Sequence, residues 1–120
     1  MKPKKIGIIG TRRRDSIKDY RLVVDKFKEI YEEGDIIVSG GCSRGGDRFA
    51  EQIARGFEIP IMIYYAQWKK RGKAAGFIRN GDIAKDSDVL IACVSEDRKG
   101  GTENTITRFK KLGKETIYYV

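Results

Sequence analysis

The chain has 120 residues, 40% of them hydrophobic, enough for one modest core and for a single domain over residues 1–120. There is no histidine and there are two cysteines in unrelated contexts, which removes histidine acid–base chemistry and most zinc and non-haem iron sites; no apolar run approaches the roughly 20 residues of a membrane span. Lysine plus arginine number 25 against 17 aspartate plus glutamate, and the net charge of +8 describes either a solvated basic surface or an anionic partner.

In chain order, KIGIIG is a short apolar run ending in glycine and is predicted as the first strand. A helix follows from Ser16, with Val23, Phe27, Ile30 and Tyr31 on one face and a stop at Gly34. DIIVSG is the second strand. In GDRFAEQIARGF, Phe49, Ala50, Ile53, Ala54 and Phe57 recur at helical spacing, and IPIMIYYA is a third strand opening on Pro60. GKAAGFIRNGDIAKDS reads as a third helix with an irregular start, DVLIACVS as a buried fourth strand, and TENTITRFKKLG as a helix burying Ile106, Phe109 and Leu112. ETIYYV is the fifth strand. Strands alternating with helices over short connections predict an α/β fold, a Rossmann-like three-layer α/β/α sandwich on a five-stranded parallel sheet.

Ligands of such sheets lie beyond the carboxyl ends of the strands, near the point where strand order reverses. The loops there are GTRRRD, GGCSRGGD, AQWKKRGK and SEDRKGGT, and they hold Arg12, Arg13, Arg14, Arg44, Lys69, Lys70, Arg71, Lys73, Arg98 and Lys99. The basic excess is thus concentrated where this architecture puts its ligand. Helix N-termini offer unpaired amides to anions, and glycine lets an anion approach them. Gly40, Gly41, Gly45 and Gly46, with Ser43 and Arg44, would form one such turn. Gly100, Gly101 and Thr102 would form a second, and Gly10 and Thr11 a simpler third. GIIGTR lacks the G-x-G-x-x-G spacing of dinucleotide folds, and no Walker A sequence occurs.

SGGCSRGGDRFAEQIA, then W followed by GKAAGFIRN, and DVLIACVSEDRKGGTENTITRFKKLGK resemble, nearly end to end, the SLOG superfamily. This Rossmann-like group includes the DNA-processing protein DprA and the LOG phosphoribohydrolases, and the likeness is greatest to its small YspA/YpsA-like branch. The resemblance implies strand order 3-2-1-4-5 and a nucleotide or nucleotide-derived ligand over the glycine loops. It matches Gly40, Gly41, Gly45 and Asp47 to the first glycine motif, Gly101 and Thr102 to the second, and Arg79 and Asn80 to the R-N pair. LOG enzymes carry P-G-G-x-G-T-x-x-E; KGGTENT lacks the proline and a spacer, and Thr105 stands in the glutamate's place.

Thr11 and Arg12 are candidate phosphate contacts, while Arg13 and Arg14 read as solvated. Arg79 is either an exposed helix arginine or a phosphate contact, and Asn80 reads a base edge or caps a turn. Trp68, in a basic loop, stacks on a base or covers the third helix. Asp47 begins or caps the second helix, a metal or ribose contact being the minor alternative. Cys42, at a helix start, is a candidate reactive thiol without a histidine partner, and Cys93 a core residue. The leading expectation is a cytoplasmic protein that binds, senses or sequesters a nucleotide, without metal or cofactor and as a homo-oligomer, a dimer being favoured. The alternatives are phosphoribohydrolase cleavage of a nucleoside monophosphate, with Glu103, Glu96 or Asp97 as the carboxylate and Arg79 assisting, and DprA-like binding of single-stranded nucleic acid.

Overall fold

The computed structural model describes residues 2–120. β1 (Lys5–Gly10) leads through α1 (Ile17–Ile30), β2 (Ile36–Ser39) and α2 (Gly46–Gly56) to β3 (Ile61–Ile63). A short helix α3 (Trp68–Arg71) and a 3-10 turn (Gly72–Ala74) precede α4 (Ala75–Asp86), β4 (Val89–Cys93), α5 (Gly101–Lys111) and β5 (Ile117–Tyr119). The five strands form one sheet in the order β3-β2-β1-β4-β5, and all pairings are parallel.

Alternation along the strands assigns side chains to two cores. Ile6, Ile8, Ile37, Ile91 and Cys93 face Val23 and Phe27 of α1 and Phe49, Ala50 and Ile53 of α2. Ile9, Val38, Leu90 and Ala92 face Ile83 and Ala84 of α4 and Ile106 and Phe109 of α5. The result is the three-layer arrangement read from the pattern. Burial holds the Cys93 thiol up at about 11, so it is inert packing.

α1 begins where the pattern placed it. Ser16 accepts from the Asp19 amide at 3.1 Å and the Asp19 carboxylate reaches back to the Ser16 amide at 3.3 Å, a reciprocal cap. The irregular start of the third predicted helix is the 3-10 turn Gly72–Ala74 leading into α4, while the short α3 lies before it in AQWKKRGK, which reads as a loop, and ends at Gly72, φ +57°. β3 is shorter than its apolar run because only Ile61–Ile63 pair with β2, leaving Tyr64 and Tyr65 beyond the strand end.

β1 and β4 are neighbours, yet β1 runs on to α1 on one face and β4 to α5 on the other. Their exit loops therefore diverge and leave a gap at the carboxyl edge.

Candidate functional site

The gap is a cleft of about 280 Å³, just below the roughly 300–1,000 Å³ of small-molecule sites. Gly10, Thr11, Arg12 and Arg13 after β1 line it, with Cys42 and Asp47 from the turn into α2. Arg79 and Asn80 of α4 stand across from them, and Lys99, Gly100, Gly101 and Thr102 close the side formed by α5. Residues far apart in the sequence and matched to three motifs are thus brought to one place.

The turn from Gly40 to Gly46 works differently from the expected anion cradle. The Cys42 amide donates to Asp47 Oδ2 at 3.0 Å, and the Gly45 amide donates to Asp15 Oδ1 at 2.7 Å. Two acidic side chains fold back onto donors that an anion would have used. The glycines serve close packing. A Cβ on Gly46 would lie 2.3 Å from the Ile9 carbonyl carbon, and one on Gly45 2.4 Å from the Thr11 oxygen. Ser43 and Arg44 are exposed and lie off the cleft wall. Asp47 sits in the first turn of α2, but its side chain pins the preceding turn, and Gly45 occupies the cap.

The first loop is also largely self-satisfied. Thr11 donates its amide to the Cys93 carbonyl at 3.0 Å, and its hydroxyl and carbonyl accept from Arg13 and Arg14. The turn into α5 is the open one. A Cβ on Gly100 would touch nothing within 4 Å, and at Gly101 it would meet only Asn80 Nδ2, at 3.8 Å. The first-turn amides of Gly101 and Thr102 have no protein acceptor among the described residues. This end of α5 carries the partial positive charge of a helix start.

Arg79 is half-buried, not a surface arginine. Its Nη1 donates to the Gly40 carbonyl at 2.7 Å and its Nε to Asn80 Oδ1 at 3.1 Å. Buried Asn80 passes the connection on through Nδ2 to the Gly101 carbonyl at 3.3 Å and to Asn104. The R-N pair therefore ties the second loop to the fourth across the cleft.

Charge at the rim is uneven. Arg12 and Lys99 make no ion pair among the described residues, whereas Arg13 is held by Asp97 through two contacts, at 2.8 and 3.1 Å. Arg13 and Ser95 keep the Asp97 carboxyl well below the usual range. Asp47 is the carboxylate on the cleft wall. Burial pushes it up, against the Cys42 amide and Arg79, which favour its charged form.

Arg14 is a correction to the solvated reading. It donates to the carbonyls of Val94 at 3.0 Å and Val120 at 2.5 Å, and pairs with Asp19. Trp68 is 57% exposed and lies off the cleft, its ring against Gly76 of α4. Lys69, Lys70, Arg71 and Lys73 sit on α3 and the 3-10 turn, also away from it. Glu103 is turned to Arg98, with contacts of 2.7 and 2.9 Å, and neither it nor Glu96 nor Asp97 reaches the cleft wall. Sequence reasoning missed Asp15, whose role depends on folding back thirty residues away, and Lys99, which had only its place in a basic loop to mark it.

Over 91 residues the chain is 28% identical to the Gene 61 protein of Mycobacterium phage D29, an alignment covering 72% of each sequence. No family model and no solved structure matches the chain.

Proposed function

We propose that this protein binds a nucleotide or nucleotide-derived phosphate compound in the cleft between the carboxyl ends of β1 and β4. One observation carries the reading. Unpaired Arg12 and Lys99 and the open start of α5 face a cleft whose wall carboxylate, Asp47, is biased by burial towards its neutral form. A phosphate there would receive the Gly101 and Thr102 amides and two cationic side chains. Hydrogen bonds to charged groups contribute roughly 1.5–3 kcal/mol each, so three or four support about micromolar affinity after the costs of association. The likeness to the SLOG superfamily supports the same ligand class through Arg79, Asn80, Gly101 and Thr102. The two free cysteines fit a reducing cytoplasm.

Native mass spectrometry of freshly purified protein tests this, followed by calorimetric titration of nucleoside monophosphates. The expected result is a co-purified phosphate compound or micromolar binding, weakened at least about tenfold in Arg12→Ala/Lys99→Ala by loss of one or more charged contacts. No binding at millimolar ligand overturns it. A steep salt dependence with oligonucleotides, near 0.7 log units per log salt for each phosphate, would favour single-stranded nucleic acid instead.

Phosphoribohydrolase cleavage is a second reading, and one feature favours it: Asp47 is a carboxyl poised towards protonation on the cleft wall. Asp47, not Glu96, Asp97 or Glu103, would then supply the proton. Free-base release from a nucleoside monophosphate, abolished in Asp47→Asn, is the expected signature; no turnover by the unaltered protein rejects it.

A further inference from the structure

Arg79 stands between two hollows. One is the cleft already described; the other, of about 240 Å³, is bounded by Tyr64, Tyr65, Gln67, Arg71, Ile78 and Asp82 together with Arg79 itself. The Gly40–Gly41 dipeptide lies against residues of both. On one flank, a Cβ at Gly40 would lie 2.9 Å from both Arg79 Nη1 and Asp47 Oδ2. On the other, a Cβ at Gly41 would lie 2.6 Å from the Tyr65 ring, and Gly41 has φ +74°, a conformation that favours glycine in any case. The two glycines make room for Arg79 on one side and for the Tyr65 ring on the other.

Tyr65 is 63% exposed even so. An aromatic ring that rests against Gly41 and stays largely exposed offers a stacking surface. Around it Asp82 and Arg71 make no ion pair among the described residues, so an acceptor and a donor remain at the edge of the hollow. The Arg79 guanidinium is fixed by Gly40 and Asn80, and it forms a rigid post over which a bound molecule could pass.

We propose that this second hollow is the base subsite of the phosphate cleft. It takes the heterocycle of a nucleoside phosphate, stacked on Tyr65, with an exocyclic amine directed to Asp82. The phosphate remains at Arg12, Lys99 and the start of α5, and the sugar passes beside Arg79, which lines both hollows. This narrows the ligand class to phosphates bearing an amino-substituted aromatic base, and it rests on the phosphate-binding reading given above.

The test is calorimetric titration of the full chain with inorganic phosphate, ribose 5-phosphate, adenosine monophosphate and uridine monophosphate. The expected order places adenosine monophosphate about tenfold or more ahead of ribose 5-phosphate, the increment of one stacked base. Tyr65→Ala should erase that increment while leaving phosphate and ribose 5-phosphate unchanged, and Tyr65→Phe should keep it. Asp82→Asn should reduce the preference for adenosine over uridine monophosphate. Equal binding of ribose 5-phosphate and adenosine monophosphate overturns the base subsite alone, as does a uniform loss of all ligands in Tyr65→Ala. Absence of binding by every probe overturns the phosphate reading and this proposal with it.

Discussion

Gly46 and Gly56 bracket α2 and bear very different constraints. At Gly46 a methyl group would stand 2.3 Å from the Ile9 carbonyl carbon and 2.4 Å from the Gly10 nitrogen, both backbone atoms of a central strand that cannot yield. Gly46→Ala is expected to destabilise the fold by about 3 kcal/mol or more, as severe overpacking does. Gly56 has open space within 4 Å, and Gly56→Ala should stabilise by about 0.5–1 kcal/mol by restricting the unfolded chain. Urea denaturation of both variants decides it; equal midpoints would refute the packing assignment. The glycine density of this turn was legible in the sequence, but its purpose was not. Nothing in SGGCSRGGD announces that Asp15 and Asp47 take the Gly45 and Cys42 amides.

At the scale of elements, hydrophobic spacing located every long helix and every strand, because each buries one face against the sheet. Helix ends depend on particular partners. The C-terminus of α4 is capped from a distance: Lys114 Nζ donates to the carbonyls of Ala84, Lys85 and Ser87 at 3.0, 2.7 and 2.6 Å. Those oxygens would otherwise be orphaned at the end of the helix. Lys114→Met keeps an apolar stem and removes the three bonds, and it should cost about 1–3 kcal/mol, with faster amide exchange in the last turn of α4. Unchanged exchange there would show that water replaces the cap without loss. The short helix α3 shows the limit of periodicity, since Trp68–Arg71 holds a single apolar residue and no repeating face, and its sequence reads as a loop.

For the whole molecule, stability should follow a set of depressed carboxyls. The Gly45 amide and Arg48 lower Asp15. Burial pushes Asp35 and Asp19 up, but hydrogen bonds from Lys4 to the first and from Ser16 and Arg14 to the second leave both lowered. Asp97 is lowered by Arg13. Such groups stabilise the fold above the unfolded carboxyl value of about 3.9, and the contribution is lost as pH falls through their folded values. Raised Asp47 acts in the opposite sense but only above the unfolded carboxyl value, so below about pH 4 the lowered carboxyls set the sign and stability should decline. In the alkaline range, the hydrogen bond to Asp86 raises Tyr64 from 10.0 to about 12, so its contribution is present below pH 10 and is lost as pH rises towards 12. Chemical denaturation against pH should show both limbs, with Asp35→Asn flattening the acid one and Tyr64→Phe the alkaline one; variants with unaltered slopes would exclude these groups. The sequence by itself determined the layered α/β architecture and the edge where basic and glycine-rich loops gather, because periodic burial and strand–helix alternation are local patterns. Only the tertiary structure decided which amides stay open, that Arg14 is anchored, that Trp68 lies off the cleft, and that Tyr65 rests on Gly41. Those outcomes depend on atoms brought together from distant parts of the chain, and no spacing along a single segment encodes them.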